Sequence, residues 1–221
     1  MGAKDMEEAK ELLRMAISQG VTGVVATPHD SRRGVSQRLE RLAEGLEREI
    51  QKEYPDFFVR LGQETCYHEE LTARLQKKEA LTLAGSRYVL VEFPETVGYN
   101  SLFQGIRKLL GVGYQPVLAH IERYGCLRQA GLEELASIGC FFQMNYDSLS
   151  GMWIQPDVRW CRRQVKEGKI HILATDMHRP QYRPPSVRKA FRWLEKHLSR
   201  EQIERMTYVN PLRIVEDGRM I

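Results

Sequence analysis

Six short strand-like runs recur along the chain: "VTGVVAT", "FFVRLGQ", "RYVLVEF", "QPVLAH", "CFFQMN" and "KIHILAT". Each is followed by a stretch whose apolar residues return every three or four positions, as in "SQRLERLAEGLEREIQKEY" and "PDVRWCRRQVKEG". Strands alternating with helices predict a parallel sheet with helices outside it. The runs are almost continuously apolar, as strands covered on both faces are. Two closures satisfy this α/β pattern, an open doubly wound sheet and a barrel. No glycine-rich phosphate loop follows the first run, which weighs against a dinucleotide-binding sheet.

The polar residues favour the barrel. His29 ends the first run, Glu64 the second, Glu92 the third and His120 the fourth, while Asp176 and His178 follow the sixth. In a parallel barrel these strand ends converge on one face, where active sites are built. Taken singly, such a histidine is ordinarily a hydrogen-bonded structural residue, and such a glutamate a helix-start charge. Five separate strands ending in ligand-type side chains point instead to a cluster of divalent metals. Imidazole with carboxylate suits zinc, manganese or iron better than magnesium. Bridging carboxylates suit two cations roughly 3.5–4 Å apart, a spacing useful for phosphoryl chemistry. Arg123 stands three residues after His120 and Arg183 five after His178, and a guanidinium fork matches phosphate oxygens. No Cys-x5-Arg loop is present, so a cysteine-based phosphatase is disfavoured. His68 and His197 read as surface residues and His171 as part of a strand.

The 221 residues carry no long linker or low-complexity tract, so residues 1–221 are expected to form a single domain. A net charge of +4, from 33 basic against 29 acidic residues without a dense basic run, argues against a nucleic-acid partner. Cys66, Cys126, Cys140 and Cys161 are scattered, as reduced cytosolic thiols are. No apolar run approaches 18 residues and the N-terminus lacks a signal-peptide pattern, so a cytoplasmic location is expected. A first helix over "DMEEAKELLRMAISQ" is predicted, with Asp5 and Glu8 as a capping box.

The stretches "ATPH", "LGQE", "YVLVEFPE", "PVLAHIERY", "QMNYDSLSG" and "ATDMH", the last followed by Arg183, together resemble one family. It is that of the bacterial metal-dependent tyrosine phosphatases of capsule and exopolysaccharide loci, within the polymerase and histidinol phosphatase (PHP) superfamily. The resemblance implies a distorted (β/α)7 TIM-like barrel holding three metal ions, usually Mn2+, with Fe, Co or Zn as other occupants. It implies His29, Glu64, Glu92, His120, Asp176 and His178 as metal ligands, and Arg123 and Arg183 as the residues holding the substrate phosphate. The implied partner is the phosphorylated C-terminal tyrosine tail of a membrane tyrosine kinase that controls polysaccharide polymerisation and export. The implied chemistry is direct attack of a metal-bound hydroxide, without a phosphoenzyme. The family pattern begins with a His-x-His strand, whereas this sequence starts at "MGAKD". The expectation is therefore a truncated form, in preference to a degenerate relative, lacking its first strand, with an incomplete metal site and an impaired activity. Its open barrel edge invites pairing with a second copy. Two other readings stand beside this one. They are a histidinol-phosphatase-like small-molecule phosphoesterase and a remnant that binds phosphotyrosine without turnover; "AHIERY" and "QMNYDSLSG" favour the protein phosphatase over the first.

Overall fold

A computed structural model describes residues 2–32, 37–129 and 131–221. Its strands are β1 (Gly23–Ala26), β2 (Phe58–Leu61), β3 (Glu64–Cys66), β4 (Tyr88–Glu92), β5 (Gln115–Leu118), β6 (Phe141–Asn145) and β7 (Ile172–Ala174). Every pairing is parallel, in the order β1-β2 and β3-β4-β5-β6-β7. The helices that alternate with them are α1 (Met6–Ile17), α2 (Gln37–Gln51), α3 (Leu71–Gln76), α4 (Tyr99–Gly111), α5 (Leu132–Ser137), α6 (Pro156–Lys166) and α7 (Arg188–His197). This is the α/β alternation expected from the sequence. Among the described residues, no backbone pairing joins β7 to β1, so each has one unpaired edge.

The second predicted strand is split. β2 pairs with β1, the chain kinks at Gly62 and Gln63, and β3 then pairs with β4. Gly62 donates its N–H to the Ala26 carbonyl (2.8 Å), and an isolated bridge joins His29 to Glu64. A Cβ at Gly62 would lie 3.1 Å from the Leu83 backbone, so the close approach favours glycine. Glu64 therefore opens a strand segment rather than ending one, because the kink re-aims the chain between two neighbours.

Strand alternation sorts the side chains into two layers. Val89, Val91, Leu118, Phe142, Met144 and Leu173 face the helices, in one large core with Leu102, Ile106 and Leu109 of α4 and Ala190 and Leu194 of α7. Tyr88, Val117 and Ile172 face inward, with Val25, Leu90 and Phe141 packed against them. Leu13 of α1, Ile50 of α2, Phe57 and Val59 form a third cluster beside β1 and β2. Burying a side chain of this kind contributes about 1.5–3 kcal/mol.

Two end details differ from expectation. Asp5 caps α1 by accepting from the Glu8 N–H (2.9 Å), but the Glu8 carboxylate does not return to Asp5. It is buried and accepts instead from the Lys4 N–H (2.6 Å) and the Arg179 guanidinium (3.1 Å), because tertiary pairing outcompetes the local box. The helix predicted over "SREQIERMT" runs on: α8 (Arg200–Glu204) passes through a widened turn, Arg205–Val209, into α9 (Asn210–Val215). Pro211 has no N–H to continue the ladder, and the Asn210 N–H reaches back to Arg205, five residues away.

Candidate metal centre

Along each inward strand face, apolar residues give way to polar ones toward the C-terminal end. On β4 the sequence is Tyr88, Leu90, Glu92, and on β6 it is Phe141, Gln143, Asn145. The result is an interior cavity of about 870 Å³. Val25, Leu90, Val117 and Ile172 line it, and so do His29, Glu64, His120, Asp176 and His178. Polar groups collect at one end because each strand finishes on them, not because they are neighbours in sequence.

His29, Glu64, Glu92 and His120 close a ring. His29 Nδ1 lies 3.4 Å from Glu64 and 3.6 Å from Glu92, and His120 Nε2 lies 2.9 Å from Glu64 and 3.3 Å from Glu92. Ligand atoms of His29, Glu64 and Glu92 all fall within 4.8 Å of one another. Burial by itself would lower the His120 pKa, but hydrogen bonds to Glu64 and Glu92 outweigh it and push the value up to about 9. The His120 hydrogen bond in turn holds the Glu92 carboxyl below its ordinary range. The ring therefore favours positive charge at its centre. His120 Nδ1 is buried with no hydrogen-bond partner among the described residues. His29, Glu64 and Glu92 converge on one point, with the His120 imidazole against both carboxylates, and such a donor set fits a divalent cation.

The second group is built on the turn after β7. Asp176 Oδ2 accepts from Arg123 (2.7 Å), Arg183 (2.9 Å) and Asn145 (3.0 Å). His178 Nδ1 lies 2.9 Å from the Asp176 carbonyl and 3.5 Å from Asp176 Oδ1, and its ring centroid stands 6.1 Å from that of His29. The eight residues singled out from the sequence thus fall into two adjacent groups, His29–Glu64–Glu92–His120 and Asp176–His178–Arg123–Arg183. The arginines are not isolated forks; both are held on one carboxylate oxygen.

The remaining histidines separate cleanly. His197 is exposed. His68 is half-buried rather than a surface residue, with Nε2 3.4 Å from the Arg74 guanidinium, and burial lowers its pKa. Arg74 is drawn there by Asp30, the residue after His29, in a largely covered ion pair. His171 precedes β7 and accepts from the Phe142 N–H (3.1 Å).

Three polar residues escaped sequence reasoning. Gln143 and Asn145 are buried on β6, and Glu122 accepts from the Asn145 N–H (3.1 Å) and the Ser148 hydroxyl (2.9 Å). Burial raises the Glu122 pKa. The signal for the first two was the i, i+2 spacing of amides in "FQMN", which puts both on the face that carries Glu92 on β4.

Residues 1–216 match the model of the capsular polysaccharide synthesis CpsB/CapC family. The tyrosine-protein phosphatase CpsB of Streptococcus pneumoniae is 31% identical over 226 residues, covering 98% of this chain and 93% of its own. The tyrosine-protein phosphatase YwqE of Bacillus subtilis is 31% identical over 206 residues, covering 90% and 81%. Among solved structures, one from the crystal structures of YwqE and CpsB, described as unique metal-dependent tyrosine phosphatases, aligns with a TM-score of 0.86. The identity is 28%, over 100% of this chain and 91% of that one. Motifs, fold and relatives agree, and the chain belongs to the CpsB/CapC family of capsular polysaccharide synthesis.

Proposed function

We propose that this protein is a metal-dependent protein-tyrosine phosphatase of capsule or exopolysaccharide synthesis, formed by residues 1–221 as one domain. The observation that carries the reading is the convergence of His29, Glu64, Glu92 and His120 beside an Asp176 that two arginines share. The relatives' names, tyrosine-protein phosphatase CpsB and YwqE, support the reaction.

In this reading the ring residues hold divalent cations, with manganese as the resident metal. Asp176 Oδ1 and His178 extend the donor set toward the arginines. A bound cation would lower the pKa of a water ligand and neutralise phosphoryl oxygens. Arg123 and Arg183 supply planar N–H donors to the phosphate, and Asp176 Oδ2 keeps both forks turned to the same place. The substrate is phosphotyrosine in the C-terminal tail of a membrane tyrosine kinase, with the phosphatase acting from the cytoplasm. Among the described residues, no helix is long and apolar enough to cross a membrane.

The test is Mn2+ titration by calorimetry together with turnover of a phosphotyrosine peptide and of histidinol phosphate. Metal-dependent hydrolysis of the peptide in preference to the small ester is the expected result. Preference for the small ester, or full turnover in excess EDTA, overturns the reading.

A further inference from the structure

β6 contributes none of the six ligand-type residues, yet it carries two buried amides between the two groups of the centre. Gln143 is 5% exposed and Asn145 4%. Gln143 Oε1 accepts from the His120 backbone N–H (2.7 Å), Gln143 Nε2 donates to Asn145 Oδ1 (2.8 Å), and Asn145 Nδ2 donates to Asp176 Oδ2 (3.0 Å). The direction of this chain is fixed by chemistry. A backbone N–H only donates, so Gln143 must turn its oxygen to His120 and its NH2 to Asn145. Asn145 must then turn its own NH2 to Asp176, which receives it as a carboxylate.

Both ends of the chain are at strained backbone. His120 has φ 33° and Asp176 φ 45°, in the left-handed region that non-glycine residues rarely occupy. Each is a ligand-type residue on the turn leaving its strand. The neutral amides tie these turns to one strand, and they engage only the His120 backbone and Asp176 Oδ2, not the His120 ring, which meets Glu64 and Glu92, or Asp176 Oδ1, which meets His178. Glu122 braces the same strand end by accepting from the Asn145 N–H (3.1 Å).

We infer that Gln143 and Asn145 form a one-way amide relay, a pair of positioning residues that sets the metal-ligand geometry of His120 and Asp176 together. The inference rests on the metal reading above. It assigns a role to a strand that holds none of the six ligand-type residues, and it couples the ring to the arginine-bearing turn.

The experiment uses the full chain with Asn145→Leu and Gln143→Met, near-isosteric neutral changes that add no charge, and Asp176→Ala beside them. Mn2+ affinity is measured by calorimetry, the visible spectrum is recorded at saturating Co2+, and melting is followed in EDTA. Losing partners that orient metal ligands costs about tenfold to a hundredfold in affinity. The relay predicts a loss of that size in both variants and shifted cobalt bands, with cooperative melting retained in EDTA. Folded variants with parental Mn2+ affinity and parental cobalt bands overturn the relay. Should Asn145→Leu not fold, Asn145→Ser, whose hydroxyl is too short to bridge Gln143 and Asp176, is judged by the same two readouts. Metal retained by Asp176→Ala removes the metal reading at that turn, and the relay with it. Metal lost there but kept by both amide variants removes the relay alone.

Discussion

At the N-terminal ends of the strands the C-terminal tail is sewn to the sheet by an exposed ion pair, Arg87 with Asp217 (3.0 Å), and by buried neutral hydrogen bonds. The Tyr88 hydroxyl donates to the Gly218 carbonyl (2.8 Å) and accepts from the Met220 N–H (3.1 Å). Asn210, fully buried, donates to the His171 and Ile221 carbonyls (2.9 and 3.0 Å) and accepts from the Ile221 N–H (3.1 Å). The C-terminal ends are made differently. There two carboxylates face each other across two imidazoles, His120 Nδ1 has no partner among the described residues, and His120, Asp176 and Arg183 all have positive φ. The contrast teaches how the fold divides its work. One end gains stability from paired hydrogen bonds and apolar contact, with its ion pair left exposed, and the other gathers carboxylates and imidazoles on positive-φ turns in a shape that suits a cation.

Mutations break this comparison if an end answers in the wrong currency. The largest effect is expected at the charged end. In Asp176→Ala, Mn2+ affinity and phosphotyrosine turnover should each fall by more than about a hundredfold, since even outer partners of ligands are worth 10–100-fold. Melting in EDTA should remain cooperative. Metal titration and peptide turnover check this, and parental values for both would end the assignment.

Next come the arginines. Arg123→Ala and Arg183→Ala should each weaken phosphate or vanadate binding by about 1.5–3 kcal/mol, the range for charged hydrogen bonds. Arg→Lys should recover only part, because the planar fork is lost. Competition by vanadate in the turnover assay measures it; two alanine variants inhibited like the parent would take the phosphate role away.

The end that holds the C-terminal tail should respond in stability alone. Asn210→Ala leaves buried carbonyls and an N–H unpaired and should cost up to about 3 kcal/mol in chemical denaturation. Mn2+ affinity should stay parental, and a change in it would mean the two ends are coupled.

The smallest effect is a pH dependence at the same end. Burial pulls the His171 pKa down to about 4, and the neutral ring accepts from the Phe142 N–H. In the unfolded chain the residue titrates near its ordinary value of about 6.5. The unfolded state then binds more protons between those values, so the stability from His171 is whole above about 6.5 and falls with pH toward 4. By pH 5 the loss is on the order of 2 kcal/mol. His171→Asn keeps an acceptor without the titration, so its stability measured against the parent's should rise as pH drops from 6.5 to 5. Parallel curves would show that the ring is not held neutral by burial.

Much of this was legible without coordinates, because strand and helix periods are local and repeat. The runs "RYVLVEF" and "CFFQMN" contain β4 and β6, and the ends of successive runs delivered His29, Glu92, His120, Asp176 and His178 to one face. Pattern could not show the kink at Gly62, since that depends on how close Leu83 packs from another segment. It could not show that Glu8 abandons its capping box for Arg179, a residue 171 positions away. Nor could it say that Arg123 and Arg183 share one oxygen of Asp176, or that Gln143 and Asn145 bridge two ligand turns. The sequence by itself determined the strand-and-helix alternation and which residue types stand at the strand ends, because periodicity and ligand chemistry are written in the order of side chains. Only the tertiary structure decided which carboxylate meets which imidazole and which amide orients them, because hydrogen bonds are made across space between segments that sequence order leaves far apart.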